Sequence, residues 1–246
     1  ATDQDLDSKE VEQALHRGEI LAQATNLARQ LVNEPGNYFS PTRLAETAKE
    51  VAENNGLEIE ILDEPEMEKR KMGAILSVSR GSDEPGRFII LRHFGDPQST
   101  APPAVLIGKG VTFDSGGLSL KPANSMEEMK ADKAGACAVL SSMQAIAQLQ
   151  TRKNVVGLIP AVENLPSGRA QRPGDVVRSM SGKTIEIINT DAEGRLILAD
   201  ALHYGRQLNP EFMIDIATLT GACVVALGHL RAGLFSNNED LTEKLL

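Results

Sequence analysis

Ala104-Val105-Leu106-Ile107-Gly108-Lys109-Gly110-Val111-Thr112-Phe113-Asp114-Ser115-Gly116-Gly117 decides the architecture of this 246-residue chain. Its first four residues are apolar and partly β-branched, which reads as a short buried strand. From Gly108 onward the spacing reads as a glycine-rich loop that carries Lys109 and Asp114. Glycine lets a backbone approach a ligand closely or take positive φ. In an open α/β sheet the crevice beyond the carboxyl ends of the strands is where ligands bind. A phosphate loop is excluded, because GxxxxGK[ST] is absent and Asp114 would repel a phosphate. The plain alternative is a turn with a surface Lys–Asp pair.

Outward from that stretch, apolar or β-branched runs recur at 57–62, 88–91, 155–159, 184–188 and 212–216, each bounded by Gly, Pro, Asn or Asp. Helical spacing fills 9–32, then 42–54 after the Ser40-Pro41 start signal, and later 134–149 and 196–207. Alternation of this kind predicts an α/β fold, three-layer α/β/α, around a mixed, largely parallel central sheet.

Composition narrows the function classes. Hydrophobic residues make up 41% and charged residues 24%, which supports a folded core rather than disorder. A net charge of -9 and only 3% aromatics argue against nucleic acid, through repulsion and through the lack of stacking platforms. No apolar run approaches the roughly 18 residues of a membrane span. The acidic start, Ala1 to Glu10, lacks a basic-then-apolar signal, so the expected location is cytoplasmic. Cys137 and Cys223 have no CxxC or Cys/His neighbours and read as buried thiols. His16, His93, His203 and His229 are scattered and read as structural.

Two more clusters carry chemistry. Lys121 is followed by Met126-Glu127-Glu128-Met129-Lys130-Ala131-Asp132, with Asp132 opening an apolar helix where a carboxylate is ordinarily a cap. Glu127, Glu128, Lys130 and Lys133 read as a solvated face. Asn189-Thr190-Asp191-Ala192-Glu193-Gly194-Arg195-Leu196 places two carboxylates two residues apart, on one side if the stretch is extended. Such a pair needs cations, and Arg195 alone neutralises half of its charge. Asp114, Asp132, Asp191 and Glu193 together bring a charge that two divalent ions would cancel, which leaves Lys121 and Arg195 for anionic reaction species. Oxygen-rich ligation suits Mn²⁺, Mg²⁺, Co²⁺ or Zn²⁺.

The string Asn189 to Leu196 resembles the signature of the leucine aminopeptidase family, the cytosol aminopeptidases, over all eight positions. Val111 to Gly117 and Ser119-Leu120-Lys121 resemble its other site segment, and Pro166-Ser167-Gly168, Pro173-Gly174-Asp175 and Ala217 to Gly221 are similar too. The resemblance implies that Lys109, Asp114, Asp132 and Glu193 bind one metal and Asp114, Asp191 and Glu193 the other. It implies that Lys121 polarises the scissile carbonyl and that Arg195 holds a bicarbonate acting as general base. Met129 would touch the side chain of the first substrate residue, and Leu219 and Gly221 would line the substrate cleft. Lys109 could then ligate only as a neutral amine, losing its proton about three units below its reference pKa at a cost of about 4 kcal/mol.

The implied protein is a metal-dependent aminopeptidase acting on peptides, using two divalent ions (Mn or Zn, with Mg or Co as options) and assembling as a hexamer when full-length. Residues 1–246 then read as a partial catalytic domain, lacking an N-terminal domain and the C-terminal part of the catalytic domain. One departure stands out: Lys133 follows Asp132 where many relatives have an apolar residue. The competing readings are a scaffold or DNA-binding relative that keeps the fold, which need not retain metal, and a two-metal phosphoesterase, for which no histidine-rich ligand set is present.

Overall fold

The computed structural model describes residues 8–246. Its elements, in order, are α1 (Ser8–Asn33), α2 (Pro41–Asn55), β1 (Glu58–Leu62), α3 (Glu64–Lys69), α4 (Gly73–Ser79), β2 (Arg87–Phe94), β3 (Ala104–Gly108) and β4 (Gly110–Asp114). There follow α5 (Ala123–Met126), a 3₁₀ segment Glu127–Lys133, α6 (Ala134–Gln148), β5 (Asn154–Asn164), β6 (Val176–Arg178) and β7 (Thr184–Glu186). A 3₁₀ turn Thr190–Ala192, α7 (Glu193–Gln207), β8 (Phe212–Ile216), α8 (Gly221–Leu227) and α9 (Glu239–Leu245) complete the chain.

Alternate residues of each central strand point to opposite faces, so each face needs its own helical cover. Phe88, Ile90, Val105, Ile107, Val156 and Leu158 meet α3, α4 and α7. Ile89, Leu91, Val155, Ile159 and Ala161 meet α1, α2 and α6. The expected three-layer α/β/α arrangement is therefore present, around a sheet ordered β1-β2-β5-β3-β8 with β4 also on β5. β1, β2 and β5 pair antiparallel, whereas β3, β4 and β8 enter parallel ladders. Ser40 caps α2 by accepting from the Arg43 N–H, and Gly56 closes that helix at φ 66°.

Four expectations need correction. The stretch after Gly108 is not all loop, because Gly110 to Asp114 continues along β5 as β4. Val111, Thr112 and Phe113 are good strand formers, and β5 is long enough to receive them. The run 184–188 is no central strand; three of its residues form a separate hairpin with β6. Cys223 is only partly covered, while Cys137 is buried as expected, because α8 buries none of its residues among those described. Lys133 is not on a solvated face at all: it has no exposed surface, although Glu127 and Glu128 are exposed.

Candidate metal centre

β3 and β4 are two halves of one strand along β5, broken at Lys109. Between the partners Ile107↔Leu158 and Gly110↔Ala161 the ladder has a gap holding Gly108 and Lys109 on one side and Ile159 and Pro160 on the other. Proline has no N–H to contribute, so the break coincides with a position that could not bond fully. Lys109 spends its backbone elsewhere. Its N–H donates to the Ile216 carbonyl at 3.0 Å and its carbonyl accepts from Ala136 N–H at 2.9 Å, which pins it between β8 and the start of α6.

The pinned lysine sends its side chain into a buried acidic cluster. Lys109 Nζ lies 2.8 Å from Asp132 Oδ1 and 2.8 Å from Glu193 Oε1, and donates to the Thr218 carbonyl at 2.9 Å. Thr218 Oγ1 donates to Asp132 Oδ1 at 2.7 Å. Asp132 thus caps no helix; it sits at the end of the 3₁₀ segment Glu127–Lys133 and turns inward to Lys109. Gly194 makes room for this, since a Cβ there would lie 2.7 Å from Lys109 Cε.

A second ammonium completes the pattern. Lys121 Nζ lies 2.8 Å from Asp114 Oδ2 and also pairs with Asp191. Asp191 and Glu193 are not in an extended stretch as expected: Asp191 lies in the 3₁₀ turn Thr190–Ala192 and Glu193 opens α7. Their carboxylates still converge, because the helical start brings them round to one side. Oxygen atoms of Asp114, Asp191 and Glu193 all lie within 4.8 Å of one another.

Asn164, which sequence reasoning missed, ties these pieces together. Its side-chain amide donates to Asp114 Oδ1 at 2.8 Å and to the Thr190 carbonyl at 3.0 Å. Thr190 Oγ1 donates to the Gly116 carbonyl at 2.6 Å, locking the loop after β4 onto the turn before α7. Gly116 itself has φ +86°, and a Cβ there would lie 2.9 Å from Asp191 Oδ1. Thr218 was legible only as part of the Ala217 to Gly221 string. Asn164 had no signal beyond its place at the end of an apolar run.

The electrostatics follow from burial. Glu193 is 1% exposed, and burial pushes its carboxyl up to about 7 against the opposing pull of Lys109. Burial likewise raises Asp132 to about 6. Burial pulls the Lys109 ammonium down, but Glu193 and Asp132 outweigh it and hold the pKa above the ordinary lysine value. Lys121 is raised in the same way, burial being outweighed by the hydrogen bonds to Asp114 and Asp191. Glu193 Oε2 is buried and finds no hydrogen-bond partner among the described residues. An unsatisfied carboxylate oxygen beside two further carboxylates is a costly arrangement for protein groups alone and a suitable one for a metal ion.

The remaining predicted residues surround this cluster. Met129 is partly covered on the 3₁₀ segment, and Arg195 is exposed on the first turn of α7 with no ion pair or hydrogen bond among the described residues. Leu219 is 43% exposed, with a methyl 3.1 Å from where a Gly194 Cβ would stand. Gly221 opens α8 and is exposed. His93 donates to or accepts from nothing in the cluster, its Nε2 lying 2.8 Å from the Thr151 carbonyl.

Comparison with known proteins converges on one family. Residues 26–246 match the catalytic domain of the cytosol aminopeptidase family. A probable cytosol aminopeptidase of Bordetella petrii is 54% identical over 243 residues, covering 98% of this chain and 49% of that protein. Similar proteins carrying that name occur in Methylibium petroleiphilum, 54% identical over 240 residues, and in Polaromonas naphthalenivorans, 57% identical over 225 residues and 92% of this chain. The chain spans about half the length of these relatives. Over nearly all of the described fold, and over every residue of the acidic cluster, the chain belongs to the cytosol aminopeptidase family.

Proposed function

We propose that this chain supplies the catalytic centre of a two-metal aminopeptidase that releases the N-terminal residue of peptides. The observation that carries this reading is the pairing of two lysines with four carboxylates, of which Glu193 keeps a buried oxygen, Oε2, with no hydrogen-bond partner among the described residues. Asp114, Asp132, Asp191, Glu193 and the neutral amine of Lys109 would hold two divalent ions, Mn²⁺ or Zn²⁺, with Mg²⁺ or Co²⁺ also compatible with the donor set. Such ions supply Lewis acidity toward a peptide carbonyl and lower the pKa of water.

The protein groups do the rest. Thr218 fixes the Asp132 carboxylate, and Asn164 fixes that of Asp114, so neither rotates out of the cluster. The two lysines divide their roles by burial. Lys109, 2% exposed, is the ligand, and Lys121, less buried, keeps its proton and stabilises the negative charge that develops on the carbonyl oxygen. Arg195, exposed and unpaired among the described residues, would hold a bicarbonate, which would supply a general base beside the cluster. Met129, Leu219 and Gly221 would bound the space for the first side chain. Membership of the family extends the proposal to a cytoplasmic, hexameric full-length enzyme.

The test is hydrolysis of leucine p-nitroanilide by the full-length protein with Mn²⁺ or Zn²⁺. Asp191→Ala is expected to lower kcat by about 10³-fold, because a metal ligand and one partner of Lys121 are lost together. Activity within about tenfold of the parent in that variant would contradict the metal mechanism.

A further inference from the structure

Lys133 is bonded to Asp132 in sequence, yet its side chain runs the other way. It has no exposed surface and no ion pair among the described residues. Its Nζ donates to the carbonyls of Glu34 at 2.8 Å, Val32 at 3.3 Å and Lys130 at 2.5 Å, using all three of its protons. The ring of Phe39 lies beneath it, with Nζ 5.5 Å from the centroid. Lys130, from the same segment, donates to the Asn33 carbonyl at 3.1 Å.

Val32, Asn33 and Glu34 are the carbonyls that leave the end of α1. That helix has no basic residue in its own last turn. The C-terminal carbonyls of a helix carry partial negative charge and need donors. Here both donors are lysines of the segment Glu127–Lys133, which also bears Asp132 and Met129. The segment's own 3₁₀ bonds are of poorer geometry than α-helical ones, and no side chain caps it among the described residues.

We propose that Lys133, assisted by Lys130, is a positioning residue that clamps the Asp132-bearing segment onto the end of α1 and so sets the geometry of that metal ligand. This deepens the aminopeptidase reading and rests on it for its consequence, though not for the clamp itself. The mechanism is mechanical. Two neighbouring side chains point in opposite directions, so a segment anchored through one cannot rotate the other away from Lys109. An apolar residue at 133 could fill the volume but could not bind three carbonyls.

The experiment compares full-length wild type with Lys133→Met and Lys133→Gln, the glutamine keeping a two-proton donor. Hydrogen exchange of the metal-free proteins across 127–133 is expected to quicken at least tenfold in Lys133→Met and to be partly restored in Lys133→Gln. Affinity for Mn²⁺ alone, by chelator competition, is expected to fall about tenfold, and kcat for leucine p-nitroanilide to fall with KM nearly unchanged. A folded Lys133→Met protein with wild-type exchange across 127–133 and wild-type Mn²⁺ affinity overturns the clamp. If Lys133→Met does not fold, Lys130→Met, which removes only the bond to Asn33, takes its place. Exchange at the wild-type rate across 127–132 in that variant then overturns the proposal. Should wild type neither bind Mn²⁺ nor cleave the substrate, the aminopeptidase reading fails, while the exchange result still decides the clamp.

Discussion

Single atoms decide whether this cluster works. Gly194 stands where a Cβ would lie 2.7 Å from Lys109 Cε and 2.9 Å from its Nζ. Lys109 cannot yield easily, being held through its backbone by Ile216 and Ala136 and through its amine by Asp132 and Glu193. Gly194→Ala is therefore expected to displace the amine and lower kcat/KM by about 10²-fold, the usual effect of an ångström-scale misplacement at a reacting centre. The thermal midpoint should fall too, because overpacking a buried site costs about 1–3 kcal/mol, so activity is compared per folded molecule. An activity equal to wild type would show that Lys109 does not need its observed place. At this scale the sequence was informative about identities, because Lys109, Asp114, Lys121, Asp132, Asp191 and Glu193 all enter one cluster. It was silent about direction. Lys133 looks like any helix-start lysine until α1 is seen to end beside it, and Asn164 acquires a role only because β5 runs five residues past Ile159.

Elements explain why those residues meet. The sheet and its two helical layers were legible because 104–107 and 155–159 are short apolar runs bounded by turn residues, whereas α2, α6 and α7 carry the spacing of a helix. β4 was hidden because glycines on both sides of Val111, Thr112 and Phe113 look like a loop. Only the long parallel ladder on β5 makes them a strand. Short helices were equally hidden. α4 has no side-chain cap of its own, and its N-terminus is satisfied from 126 residues away, where Asp200 Oδ2 accepts from Ala74 N–H at 2.9 Å and Ile75 N–H at 3.0 Å. Asp200 Oδ1 also accepts from Met180 N–H at 2.7 Å, so one carboxylate joins α7, α4 and the β6–β7 hairpin. Asp200→Ala leaves these donors buried without an acceptor and is expected to destabilise the fold by about 3 kcal/mol. A lowered urea midpoint with unchanged kcat per folded molecule is the expected outcome. An unchanged midpoint would mean the carboxylate contributes nothing net.

Over the whole molecule, exposed apolar surface collects toward the C-terminal elements. Val225, Leu230 and Phe235 are each at least 90% exposed, and β8 is an edge strand that pairs only with β3 among the described residues. The chain carries a net charge of -9, and burial raises two of the acids in the cluster above the ordinary carboxylate range. Asp132 and Glu193, raised to about 6 and about 7 by burial, hold protons in the fold that they would release when unfolded. Their contribution to stability is thus fullest below the ordinary carboxylate pKa and is lost as pH rises through those values. Metal ions reverse the preference, since ligation needs both carboxylates ionised and Lys109 neutral. The most direct measurement of the central claim is calorimetric titration of the metal-free full-length protein with Mn²⁺ at pH 7, in buffers of different ionisation enthalpy. The expected result is about two ions bound per chain with release of about one to two protons, and affinity that rises with pH through the window set by Asp132 and Glu193. Binding of a single ion, or of two ions with no proton released, would contradict a centre in which Lys109 and these four carboxylates are the ligands.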